Sequence, residues 1–365
     1  MHILSKWLLN CAEAYPMSYA YPYTVTLSKT QKRVLLMRNN DIKNVNMPKS
    51  TMQSGILADI DTINYSTFDT ECQVKEYAAA MRQAARLRKY NILSLRGLGE
   101  NAKADNIQSC AAYILFKEKE TQDGEFLQKI DKMYLCKDRY CMFCAGVKAA
   151  KNLRILKQAF ERLNVETEYM RYRFLTLTVP NADIQQLRKQ VQAMMKAFNA
   201  LNTRYTKSGH WWGYYKSLEV TYNQDNNTYH PHLHVIADGR YIPQVQLSTD
   251  WYGLCSKHGV INIPQVMIDN KSLAVDIRLT YKPWELCKYV VKPDTLNYAA
   301  VYELVQSGAL KGLRDNAAGG TLKKVIANIK KDIKIAKAEQ KETFGLAKYI
   351  RAISYYWTGD EYERR

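Results

Sequence analysis

The chain has 365 residues, 47% of them hydrophobic, and a formal net charge of +18. This composition supports a packed core, excludes a disordered chain and suits about two domains. The charge points to a polyanionic partner, nucleic acid or an acidic membrane surface, and 27 tyrosines interleaved with lysine and arginine suit phosphates and unstacked bases. No stretch approaches the ~18 apolar residues of a membrane span. The opening apolar run, Met1–Leu9, is broken by Lys6 and is too short for a secretory signal core. The expected location is therefore cytoplasmic, where eight cysteines serve as metal ligands or buried thiols rather than disulfides.

Residues 1–105 form an N-terminal region to which the sequence assigns no role, apart from an expected helix over Glu76–Arg88. Residues 106–150 hold Cys110, Cys136, Cys141 and Cys144. The tight Cys141-Met-Phe-Cys144 gap is a knuckle spacing that places two thiolates on one tetrahedral Zn²⁺. Cys136 supplies a third ligand, and Cys110, before the strand-like Ala112–Phe116, is the natural fourth. Lys148, Lys151, Arg154 and Lys157 then recur at helical spacing, as either a solvated or a phosphate-contacting face.

Arg173–Pro180 alternates as a strand, with Leu175, Leu177 and Val179 on one face and Phe174, Thr176 and Thr178 on the other. Ile184, Leu187, Val191, Met194, Met195, Phe198 and Leu201 predict an amphipathic helix. Lys216–Tyr222 is a second strand, and the turn Asn223–Thr228 leads into Tyr229-His-Pro-His-Leu-His-Val-Ile-Ala237. Three of the six histidines, His230, His232 and His234, share one face of that strand, while Leu233, Val235 and Ala237 share the other. Imidazoles about 7 Å apart along a strand can converge on one divalent ion. A turn centred between Asp225 and Asn226 puts Glu219 opposite His232 as a further ligand; a one-residue slip turns it away.

Tyr281–Pro293 reads as a short helix with Glu285, Lys288, Tyr289 and Lys292 on one face. Spacing alone fits an ordinary amphipathic helix with Glu–Lys pairs. It also allows a tyrosine nucleophile whose phenolate the lysines favour, with a glutamate as base. Residues 311–351 carry eleven Lys/Arg against four Asp/Glu, and Leu322–Ala338 reads as a helix bearing Lys323 and Lys324, either solvated or in contact with DNA.

Taken in order, Phe174-Leu-Thr-Leu-Thr-Val-Pro180, His230-Pro-His-Leu-His-Val235 and Glu285-Leu-Cys-Lys-Tyr289 resemble the rolling-circle plasmid replication initiators (Rep) of the HUH endonuclease superfamily. Leu218–Tyr222 and the cysteine group add to the likeness, which covers about residues 106–330. Two positions depart from the family pattern: Met142 stands where proline is common and Ala111 where glycine is common.

The resemblance implies an α+β fold: a central, mainly antiparallel sheet with flanking helices, the histidine strand in the middle and the tyrosine helix across it, preceded by a small zinc-binding module. The expected division is an N-terminal region (1–105), the cysteine module (106–150), a nicking and joining domain (151–310) and a basic helical C-terminal region (311–365). His232 and His234, with Glu219 and more weakly His230, would ligate catalytic Mg²⁺ or Mn²⁺, and the four cysteines structural Zn²⁺. Tyr289 would be the nucleophile, with Tyr281 as fallback. Glu285 would activate water for the terminating cleavage, and Lys288 and Lys292 would hold phosphate. The implied partners are plasmid origin DNA and a host helicase and polymerase, with no membrane. A single-strand transposase or mobilisation relaxase would use the same chemistry. A zinc-dependent DNA-binding regulator or a water-activating phosphodiesterase would not.

Overall fold

The computed structural model describes residues 64–65, 70–124, 126–164, 172–280 and 295–365. Tyr281, Glu285, Lys288, Tyr289 and Lys292 lie outside the described residues.

The histidine strand is the middle of a five-stranded sheet. The sheet consists of β4 (Tyr172–Thr178), β5 (Trp211–Asn223), the histidine strand β6 (Thr228–Gly239), β7 (Val275–Leu279) and β8 (Asn316–Gly319), in the order β7-β4-β6-β5-β8. Every named pairing in this sheet is antiparallel. The β5–β6 hairpin closes through an Asx turn in which Asn223 Oδ1 accepts from the Asp225 amide at 3.0 Å. Asn227 takes a φ of 50°, which asparagine tolerates better than most residues. Proline is rare in a central strand. Pro231 fits because the β4 ladder ends at Thr178↔His232, so β6 needs no donor on that side one residue further out.

The two sheet faces bury different partners. Leu175, Leu177, Leu218, Leu233 and Val235 are fully buried, in one core with α4 (Ile184–Lys207). Asp183 caps α4 by accepting from the Gln186 amide at 2.8 Å, and Leu187, Val191, Met194, Phe198 and Leu201 form its buried stripe. Truncating such a residue, for example Leu233→Ala, costs about 2–5 kcal/mol. On the opposite face Tyr172, Phe174, Tyr215 and Ile236 pack under two helices, α3 (Met142–Asn164) and α8 (Gly320–Leu346). Those helices contribute Ile155, Leu156, Phe160, Leu322, Ile326 and Ile329. This cover is confined to one end of the strands. Beyond it, on the same face, stand His234, His232 and Glu219. At the β8–α8 switch Gly320 takes a φ of +58°, and a Cβ there would lie 2.0 Å from the Trp212 carbonyl oxygen, so no larger residue fits.

A second five-stranded sheet, absent from the expected architecture, has the order β1-β3-β2-β9-β10. Its strands are β1 (Asn64–Tyr65), β2 (Tyr113–Glu120), β3 (Phe126–Met133), β9 (Lys348–Trp357) and β10 (Tyr362–Arg364). The C-terminal region expected to be helical thus contains α8 and three strands, β8 to β10. β8 and α8 also carry the first sheet past the expected boundary at residue 310. The cysteine segment 106–150 is no separate unit: β2 and β3 are completed by C-terminal strands, and α3 runs on to Asn164. Within the N-terminal region α1 (Thr70–Gly97) extends the expected helix at both ends and is followed by α2 (Asn101–Gln108). The remaining helices are α5 (Gln244–Lys257), α6 (Gln265–Asp269) and α7 (Tyr298–Ser307). Among the described residues no helix is long and apolar enough to cross a membrane.

Candidate functional site

Strand pairing sets the site. β5 and β6 pair Glu219 with His232 and Ser217 with His234, while β4 puts Thr178 and Thr176 on the other side of the same two histidines. Partners in register point to one face, so both imidazoles and the carboxylate converge. Glu219 is 2% exposed and His232 7%. Glu219 Oε2 accepts from His232 Nε2 at 2.8 Å and from His234 Nε2 at 2.6 Å. The three ligand atoms lie within 4.8 Å of one another. Burial alone would raise the Glu219 carboxyl, but the two imidazole hydrogen bonds overcome it and hold the group well below the usual carboxylate range.

The other ring nitrogens are also engaged. His232 Nδ1 lies 3.3 Å from the His230 carbonyl oxygen, which can only accept, so Nδ1–H is held there; a metal ion taking the place of the Nε2–Glu219 hydrogen bond would then meet the Nε2 lone pair. His234 Nδ1 lies 3.3 Å from Thr176 Oγ1, a hydroxyl able to donate or accept. Thr176 and Thr178 are functional neighbours the sequence did not single out; their alternation was visible, but their pairing with the histidines depends on a register between distant strands. The His230 ring is 5.4 Å from that of His232 and does not join the convergent set. Burial, then the neighbouring His232, depresses its pKa.

The four cysteines form a second cluster. Cys110 follows α2, Cys136 follows β3, and Cys141 and Cys144 bracket the start of α3. Sγ separations are 3.4 Å for Cys110–Cys144, 3.7 Å for Cys136–Cys144 and 3.8 Å for Cys110–Cys141. A tetrahedron with metal–sulfur bonds of about 2.3 Å has edges of about 3.8 Å, so the spacing fits a Zn²⁺ tetrad. The Cys136 amide donates to Cys110 Sγ at 3.4 Å and the Lys137 amide to Cys144 Sγ at 3.3 Å, which stabilises thiolate sulfur. Hydrogen bonds from Cys110 and Cys136 pull the Cys141 and Cys144 thiols below their ordinary value, while Cys110 is pushed up. Ala111 has a φ of 54°, a left-handed conformation that glycine adopts without steric cost.

Lys323 and Lys324 are exposed on α8. Lys148, at the start of α3, meets Asp315 at 2.5 Å, and Arg139 meets the same carboxylate at 2.8 Å, tying the cysteine loop to the segment before β8.

The family described as Replication protein (Rep_1) matches residues 127–363. A Protein rep from Lactiplantibacillus plantarum is 30% identical over 259 residues, covering 66% of this chain and 78% of the relative. A Protein rep from a Bacillus species is 34% identical over 161 residues, covering 41% and 50% respectively. One from Staphylococcus aureus is 30% identical over 182 residues, covering 47% and 76%. No solved structure matches. The family match takes in Glu219, His232, His234 and three of the four clustered cysteines, Cys136, Cys141 and Cys144, and the chain belongs to the replication protein (Rep) family.

Proposed function

We propose that the protein initiates rolling-circle replication of a plasmid by nicking one strand at the origin. The observation that carries this reading is the convergence of Glu219, His232 and His234 on the central strand of a chain in the replication protein family. Two imidazoles and one carboxylate suit Mn²⁺ or Mg²⁺, and three protein donors leave positions open for a phosphate. A divalent ion bound there would polarise the scissile phosphate and withdraw charge as it builds.

In this reading the Tyr289 oxygen attacks phosphorus, its proton passing to a base or to solvent. The bond from phosphorus to the 3′ oxygen breaks. The 5′ side stays joined to the protein as a phosphotyrosine, and the 3′-OH primes a polymerase. Lys288 and Lys292 hold the phosphate, and Glu285 takes a proton from water in the terminating cleavage. These roles rest on the family resemblance. Cys110, Cys136, Cys141 and Cys144 would hold structural Zn²⁺. Host helicase and polymerase act as partners in a cytoplasmic setting.

The test is a denaturing gel of labelled single-stranded origin DNA incubated with Mn²⁺ and either wild type or Tyr289→Phe. A slow-migrating covalent adduct in wild type only supports the proposal. Cleavage with no adduct in either protein overturns it in favour of water-activated hydrolysis. An adduct that survives the substitution moves the nucleophile, first to Tyr281.

A further inference from the structure

The second sheet has two unlike faces. Ile114, Phe116, Ile130, Ile353 and Tyr355 are buried in the core. The residues alternating with them face away from it: Tyr113, Leu115 and Lys117 on β2, and Ala352, Ser354 and Tyr356 on β9. Tyr113 and Tyr356 are partners in register with ring centroids 4.9 Å apart. The Arg365 guanidinium sits 5.1 Å from the Tyr356 ring centroid. Tyr356 is 40% exposed, Tyr134, just past β3, is 48% exposed, and Tyr349, also on β9, is 53% exposed.

Cations line the same face. Lys117 is directly opposite Lys129, and Lys132 is opposite Leu115. Like charges directly opposite destabilise a sheet. Asp131 meets Lys117 at 2.9 Å and Glu363 pairs with Tyr356, leaving the cations in excess. Lys119 and Lys129 gather about the Phe344 ring, at 4.8 and 5.7 Å, where the end of α8 borders the open part. A cross-strand tyrosine pair alone needs no partner, since such pairs stabilise a sheet. A tyrosine pair under a guanidinium, beside two lysines in register, is arranged for a ligand with π-faces and negative charge.

We propose that this face is a platform for single-stranded nucleic acid, carried on a different sheet from the Glu219–His232–His234 cluster. Unpaired bases stack on Tyr113 and Tyr356, and phosphates run past Lys117, Lys129, Lys132 and Arg365. Duplex hides its base faces within the stack, so the platform favours unpaired strand. The assignment is independent of the nicking chemistry.

The test uses the full chain without divalent metal. Fluorescence anisotropy measures binding of a labelled oligo-dT of about 15 nucleotides. In Tyr113→Leu/Tyr356→Leu the affinity falls by roughly tenfold or more, as expected when stacking of one or two bases is lost. Tyr356→Phe keeps wild-type affinity, the double variant keeps its melting temperature, and with Mn²⁺ restored it still nicks origin DNA at saturating concentration. Unchanged affinity in the folded double variant overturns the proposal, as does equal affinity of wild type for duplex of the same length. If the double variant does not fold, photo-cross-linking of bromodeoxyuridine oligonucleotide to wild type decides. Adducts at Tyr113, Tyr349 or Tyr356 support the platform. Adducts confined to other peptides, or protein–protein cross-links at this face in their place, overturn it.

Discussion

The two ligand clusters are built by opposite means. Glu219, His232 and His234 stand on regular, paired strands whose alternation delivers all three to one face. Cys110, Cys136, Cys141 and Cys144 come from a helix end, a strand end and a helix start, held by backbone that includes two left-handed non-glycine residues, Ala111 and Lys137. Three donors on a rigid sheet leave room for a substrate oxygen, whereas four thiolates close a tetrahedron. The first arrangement fits a site that acts, and the second a site that holds chain segments together.

Substitutions separate the two roles. Glu219→Ala should lower nicking by roughly a thousandfold, the loss of several kcal/mol of charge stabilisation, with little change in melting temperature. Gel assays of rate and isothermal titration of Mn²⁺ check this, and normal Mn²⁺ affinity would remove Glu219 from the site. Cys144→Ser should do the reverse. Bound zinc is lost and the melting temperature drops by many degrees, because the metal-binding energy of such a site is folding energy. Elemental analysis and thermal melts measure both, and a zinc-free variant with unchanged melting would refute the structural role.

Thr176→Val has a smaller expected effect. It removes the hydroxyl beside His234 Nδ1, so Mn²⁺ affinity should fall roughly tenfold while stability holds; Thr176→Ser should restore it. An unchanged Mn²⁺ titration would show that the Thr176 contact does not orient the ring.

Two glutamates, Glu219 buried and Glu76 half-buried, sharpen the comparison further. Glu219 has two imidazole donors. Glu76 Oε2 on α1 has no hydrogen-bond partner among the described residues, and burial pushes its pKa up to about 7. Its folded pKa lies above the unfolded value, so the folded state binds the proton more tightly. Stability is full below about pH 4.5 and falls as pH rises toward 7. Glu76→Gln should therefore leave stability unchanged at acidic pH and raise it by about 1 kcal/mol at pH 8, after allowing for partial solvent screening. Denaturant melts at both pH values test this, and equal effects at both would mean that the carboxyl ionises normally in the folded protein.

Local signals made the first site legible. Alternation showed which histidines share a face, and a turn centred between Asp225 and Asn226 offered the register Glu219↔His232 that the strands adopt, against a one-residue slip that the sequence left open. The Cys141–Cys144 spacing marked the second cluster. The second sheet was hidden because its central pairing joins residues near 115 to residues near 354. The alternation of Ile353 and Tyr355 was present but followed a lysine-rich helix, and nothing local names a distant partner strand. The Thr176–His234 contact was obscured for the same reason.

The clasp between Ala111 and the C-terminal strands has a consequence for synthesis. Tyr362 hydroxyl donates to the Ala111 carbonyl, two residues 251 apart in sequence. At about 10 residues per second, the ribosome needs tens of seconds to supply the partner of β2. Until then the edge of β2 lies open in the nascent chain, a site where another chain could pair. The tyrosine face therefore becomes available to a ligand only after the histidine sheet has all its strands, so any binding that depends on it must wait until β9 has been made.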